Sequence, residues 1–167
     1  MTAAEATTIP TPQPLLRLLH WAMLWSPLRD ETLGADSWQA LGLPGHYRDH
    51  ASAFNKLFVL DYPLPPVSLL LGFTLQREAG ACREEWMRIA EYLGLTREGP
   101  SLPPDHLALA CEVLAHCALH HERVLCTGIT TRYLQPWLGK ATAACSDPAL
   151  SRMLVCFEQD VMAIANG

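Results

Sequence analysis

The sequence predicts a single all-α domain of about seven or more helices, and three observations predict it. Apolar residues recur at three- and four-residue steps in one segment after another. No segment keeps the strict alternation of a half-buried strand. Gly and Pro sit between the segments rather than within them. A chain of 167 residues, half of them apolar and only 17% charged, can bury one core and is too apolar to remain unfolded.

The elements follow in order. Thr7 to Pro14 is rich in Pro and Thr, so 1–14 reads as a mobile tail and 15–167 as the domain. A first helix is expected from Pro14 to Trp25, stopped by Ser26-Pro27. A second covers Asp30 to Leu41, before Gly42-Leu43-Pro44. A third spans His46 to Leu60, with Tyr47, Ala51, Phe54, Leu57 and Phe58 on one face. Asp61-Tyr-Pro-Leu-Pro-Pro66 is an extended turn that no helix crosses. Helical spacing resumes from Ser68 to Leu93, divided near Gly80, with Gly94 as its C-terminal stop. After the Thr96 to Pro104 loop, Leu107 to Leu125 is the strongest helix, with Pro104 suited to its first turn and Asp105 placed to favour the helix dipole. Thr127-Gly128 is read as its end. Two further helices, near Thr130 to Cys145 and Asp147 to Ala165, close the domain, the last started by an Asp147-Pro148 cap pair.

Charge and composition narrow the function. Twelve Lys and Arg against seventeen Asp and Glu leave a net charge of -5, which disfavours nucleic acid and suits a basic peptide. The longest uncharged stretch, Tyr62 to Gln76, has 15 residues and three prolines, short of the about 20 apolar residues a membrane-spanning helix needs. Met1 to Pro14 carries Glu5 and no Lys or Arg, so the chain is expected to stay in the cytoplasm. Its six cysteines lie among Ala, Leu and Val with no CxxC pair, and read as reduced thiols packed as small hydrophobes. The five tryptophans read mostly as core, with Trp86 and Trp137, beside Glu85 and Gln135, as the half-exposed ones. GxxxxGK[ST], GxGxxG, HExxH and GxSxG are all missing, and no catalytic pair suggests an enzyme.

The informative stretch is Pro103 to Arg123. On a helix, Glu112, His116, His120 and Arg123 share one face at steps of four, four and three, and Asp105 lies two turns before Glu112 on nearly the same side. The other positions are apolar almost all round, which marks a buried, central helix. Such a polar stripe has three readings. It is a solvated face whose acid and histidines support one another, or the wall of a groove for a basic ligand. Alternatively it is a metal site or metal-dependent enzyme centre drawing on Glu112, His116, His120 and Cys117. Three ligands spread over two helical turns span more than about ten ångströms, so only two of them can hold one ion together.

The run Pro104-Asp105-His106-Leu107, followed by Glu112-Val-Leu-Ala115, resembles the signature of the NarJ/TorD/DmsD family of molybdoenzyme-maturation chaperones. Other features resemble that family in the same order: Leu57-Phe58, then Pro63-x-Pro-Pro66-x-Ser68, then Gly80-x-x-Arg83 with Met87 behind it, and Leu134-Gln-Pro-Trp137-Leu near the end. The likeness covers about Tyr47 to Leu154. It departs at Ala110-Cys111 and Val113-Leu114, where an acidic-Leu pair and a Phe-Met pair are usual in the TorD and DmsD branches. The resemblance implies an all-α cytoplasmic chaperone that binds the N-terminal peptide of a molybdopterin oxidoreductase subunit, some such peptides carrying paired arginines. It implies no cofactor of its own, and either a monomer or a helix-swapped dimer. Pairing with arginine needs acids beside an apolar groove. The residues expected to bind the peptide are therefore Asp105, His106, Leu109, Glu112, His116 and Trp86.

Overall fold

Side-chain caps written into the sequence set where the helices start. In a computed structural model describing residues 13–60, 63–96 and 101–167, Asp30 accepts the Leu33 N–H and begins α2 (Glu31–Ala40). Glu78 accepts the N–H groups of Gly80 and Ala81 and begins α5 (Ala79–Tyr92), and these two donors hold its carboxyl below the usual range. His106 caps α6 (Leu107–Leu119), and Asp147 accepts from Ala149 and Leu150 at the start of α9 (Pro148–Asn166). The remaining elements are α1 (Gln13–Trp25), α3 (Tyr47–Phe58), α4 (Leu71–Thr74), α7 (Arg123–Ile129), a π-helical stretch (Thr130–Leu134) and α8 (Gln135–Ala144). The protein is all-α; the extended pairing among the described residues is one isolated antiparallel bridge between Leu70 and His106. The tail expected over 1–14 falls on residues 1–12, outside the described residues, and so do 61–62 of the Pro-rich turn and 97–100 of the later loop.

One hydrophobic core runs from Leu18 to Val161, with α1 and α6 lying against each other at its centre. Helix α6 buries Leu107 to Cys111, Val113 to Ala115 and Cys117, nearly its whole circumference. The aromatic centre is Trp25, whose ring lies 5.2–5.6 Å from Phe54, Phe58, Trp137 and Phe157, and so joins α1, α3, α8 and α9. All five tryptophans are at most 1% exposed, which corrects the half-exposed reading of Trp86 and Trp137. Trp86 packs on Tyr133 at 5.0 Å, and the Trp137 indole N–H donates to the Ser68 carbonyl at 2.9 Å. Their polar sequence neighbours point outward while the rings point in. On the outer side of α1, Asp160 receives Arg17 Nε at 2.8 Å and Trp21 Nε1 at 2.7 Å, tying α9 back to the start of the domain.

Two helix ends differ from the sequence reading. The helix expected to run to Leu125 stops at Leu119, because His121 takes a left-handed conformation (φ 59°). The Glu122 N–H then returns to the Cys117 carbonyl and the His121 N–H to that of Ala118, the pair of bonds that usually surrounds a glycine. Conversely, Thr127-Gly128 ends nothing. Helix α7 continues through the π-helical stretch into α8, and Cys126, Ile129, Thr130, Tyr133, Leu134, Trp137, Leu138 and Ala141 form its buried face. Packing of that face outweighs the weak helix propensity of Gly128. The division expected near Gly80 falls earlier: Gln76, at φ 54°, separates α4 from α5, and Gly80 lies inside α5.

A Cβ at Gly128 meets nothing within 4 Å, whereas Gly94 holds φ +69° at the end of α5. Gly128→Ala is therefore expected to raise the unfolding free energy by about 0.5–1 kcal/mol, and Gly94→Ala to lower it by about 1–2 kcal/mol. Urea denaturation of both variants beside the parent checks the two signs.

Candidate functional site

Asp105 does not lie on α6. It sits one residue before the capping His106 and is 1% exposed, so the helix does not carry its carboxylate along the Glu112 stripe. Pro104 is likewise outside the first turn. The Asp105 side chain turns instead toward the short helix α4. Its Oδ2 accepts the Gly72 N–H at 3.1 Å, and its Oδ1 faces Arg83 Nε of α5 at 3.4 Å. The backbone reinforces the same place. The Leu71 N–H donates to the Asp105 carbonyl at 2.9 Å and the Leu107 N–H to the Leu69 carbonyl at 2.8 Å. A Cβ on Gly72 would stand 3.0 Å from Asp105 Oδ2 and 3.1 Å from the Cys82 Cβ, so the close approach needs glycine. Asp105 is thus a structural acid joining α4, α5 and α6, which corrects its placement on a peptide-facing surface.

His106 also serves the helix start. Its Nδ1 accepts the Ala108 N–H at 3.1 Å, so the ring proton resides on Nε2 in the neutral form. Leu109 and Trp86 are buried in the core and present no surface to a peptide in this conformation. What remains outside is a strip on the last two turns of α6: Glu112 exposed, His116 half-buried, Leu119 and His120 exposed. The His116 and His120 rings are 4.4 Å apart, and Tyr92 of α5 donates to Glu122 at 3.2 Å just beyond them. Arg123, expected on the same stripe, belongs to the next helix. Of the six residues expected to bind, the structure therefore keeps Glu112 and His116 together at the surface and places Asp105, His106, Leu109 and Trp86 beneath.

The sequence reading missed a second cluster at the start of α5. Tyr133 donates to Glu85, Arg132 pairs with the same carboxylate at 2.8 Å, and Arg77 lies 4.5 Å over the Tyr133 ring while donating to the Arg132 carbonyl. Partial burial and the Glu85 charge push the Tyr133 hydroxyl well above its ordinary range. Glu85 and Tyr133 are 48 residues apart and Arg77 and Arg132 are 55 apart, with no shared motif, so only the fold reveals the group.

The donors named for a metal are not gathered either. Cys117 faces the core, away from Glu112, and no three or more His, Cys, Asp or Glu among the described residues are placed to hold one ion. Burial pushes the Cys117 thiol up to about 12 and that of Cys111 well above its ordinary value. All six cysteines are free, four of them buried, with Cys145 and Cys156 partly accessible.

Two outcomes follow from this geometry. Asp105→Ala leaves the buried Gly72 N–H without its acceptor and is expected to cost about 1–3 kcal/mol of stability. Asp105→Asn retains an acceptor oxygen and loses chiefly the attraction to a half-exposed Arg83, so it should cost less than about 1 kcal/mol. Chemical denaturation orders the two. For the thiols, a disulfide-exchange reagent near neutral pH should modify Cys145 and Cys156 in the native protein, and the other four only on unfolding; peptide mapping of the modified sites tests this.

The chain matches no family model, no curated protein and no solved structure.

Proposed function

We propose that this protein is a client-specific chaperone of the NarJ/TorD/DmsD kind. In this reading it binds the N-terminal peptide of a molybdopterin oxidoreductase subunit, in the cytoplasm, until cofactor insertion and assembly or export can proceed. One observation carries the reading: the short segments that resemble the family, scattered from Leu57 to Trp137, meet in one hydrogen-bonded junction. The Val67 N–H donates to the Leu57 carbonyl at 3.1 Å, and Phe58 stacks on Trp137 at 5.9 Å. Trp137 donates to Ser68, the Leu69–Leu71 segment pairs with Asp105–Leu107, and Asp105 meets Arg83. A likeness made of unrelated coincidences would not be expected to converge on one place. The junction supports α6, whose outer strip then supplies Glu112 as the acid for a basic side chain and His116 and Leu119 as its neighbours.

The proposal needs no catalytic group and no bound cofactor; the partner is the client peptide. Net charge agrees with that partner, because a chain at -5 attracts a basic peptide and repels nucleic acid. No helix among the described residues is long and apolar enough to cross a membrane. A peptide that orders on binding loses conformational entropy, which keeps affinity moderate and release feasible.

Purification from the native host through an affinity tag is the first test. A molybdopterin-dependent subunit is the expected co-purifying protein; recovery of stoichiometric metal and no protein partner would overturn the reading. With the client peptide in hand, calorimetry should show Glu112→Gln weakening binding roughly ten- to a hundred-fold, as expected for loss of a charge-assisted hydrogen bond. Its melting temperature should fall less than that of Asp105→Ala, because Glu112 is exposed and Asp105 is buried. Asp105→Ala should do the reverse, with lower stability and nearly unchanged intrinsic affinity.

A further inference from the structure

A second feature lies at the other end of α1, where the chain turns into α2 and passes α3. An open groove of about 430 Å³ lies there, floored by the edges of the buried Leu24, Trp25, Tyr47 and Phe54, with the half-buried Arg29 and the exposed Glu31 at its polar side. Such a volume suits a small organic ligand held by an apolar wall and a few fixed polar groups. The polar group is unusually well fixed. Arg29 Nε donates to the Leu24 carbonyl at 3.0 Å and Nη2 to the Tyr47 hydroxyl at 2.7 Å, and its Cζ stands 4.9 Å from the Tyr47 ring centre. The guanidinium also packs on α2 where Gly34 has no side chain: a Cβ there would be 2.3 Å from Nη1.

These contacts occupy two of the five guanidinium N–H groups. Among the described residues no ion pair joins Arg29 to a carboxylate, and the guanidinium fork matches the two oxygens of one. Glu31 stands on the exposed first turn of α2, where water and salt screen its charge. The second sign comes from Trp25, which lines the same groove and whose buried indole N–H has no acceptor among the described residues. A groove with an aromatic wall, a positioned guanidinium and an unanswered N–H lacks one thing: an acceptor-rich anion carried on an apolar body.

The geometry points to a binding site for a carboxylate borne on an aromatic or branched apolar group, with Arg29 as its anchor. The site is separate from the α6 strip and does not depend on the chaperone reading. The same chemistry is offered by a small free acid or by the C-terminal carboxylate of a chain ending in an apolar residue.

The test uses the full chain with 3-phenylpropionate and with a short peptide ending in Leu-Phe, each beside its amide. Binding is read by calorimetry and by the five tryptophan indole resonances in a nitrogen-resolved NMR spectrum, with the Trp25 peak assigned through Trp25→Phe. The expected result is saturable binding of at least one carboxylate at up to millimolar concentration, with the Trp25 indole peak moving most. Binding should weaken roughly ten- to a hundred-fold for the amide and for Arg29→Gln. Gly34→Ala should weaken it too, since a Cβ there displaces the guanidinium from its fixed position, with circular dichroism checking that the variant folds. Whether the free acid or the peptide binds more tightly identifies the source. Absence of binding for both carboxylates, equal binding of acid and amide, or unchanged affinity in a folded Arg29→Gln and Gly34→Ala would each overturn the assignment.

Discussion

The organisation of the second half of this protein depends on a buried carboxylate. Asp105 lies just outside helix α6, shut away from water, and its two oxygens are used on two different elements: the N–H of Gly72 in α4 and the guanidinium of Arg83 in α5. A buried charge is tolerated only where such donors converge on it. That requirement sets the separation of α4, α5 and α6 more narrowly than hydrophobic contact alone. It also explains the glycine at position 72, since any side chain there would push the acid from its donors. The two backbone bonds between 69–71 and 105–107 complete the joint and hold the Pro-rich approach against the start of the central helix.

From that joint the rest of the architecture follows by burial. Helix α6 is apolar on nearly every side because α1 covers one flank and α7 another. A helix so enclosed has little surface to spare, and the narrow strip at Glu112, His116, Leu119 and His120 is what remains. The left-handed turn at His121 then reverses the chain, so that the run from α7 to α8 lays Tyr133 on Trp86 and Trp137 on Phe58. The π-helical stretch at 130–134 inserts the extra residue that keeps both tryptophan contacts on one buried face.

This arrangement separates support from contact. Residues that a motif-based reading groups as one binding surface divide into a buried set that positions α6 and an exposed set that a partner can reach. The proposed peptide recognition draws on the second set, which a partner can reach and leave without disturbing the buried joint. The Arg29 groove stands apart from it, where α1 turns into α2 and passes α3.

The sequence by itself determined the helical class, the apolar faces and the Asp147 cap of α9. Each is a local property: spacing at three and four residues, an Asp before a helix start, a proline that no helix crosses. It also placed Glu112 and His116 on one face, because four residues along a helix always share a face. Only the tertiary structure decided where helices end when the signal is weak. His121 stops α6 without a glycine because the turn that follows is bonded back to Cys117 and Ala118, and Gly128 fails to stop α7 because the buried face around it is continuous. It alone decided, too, that Asp105 is a joint and that Trp86 and Trp137 are core. Those roles are set by partners 22 to 69 residues away in the chain, Arg83, Gly72 and Ser68 among them, and no local pattern encodes a neighbour that distant.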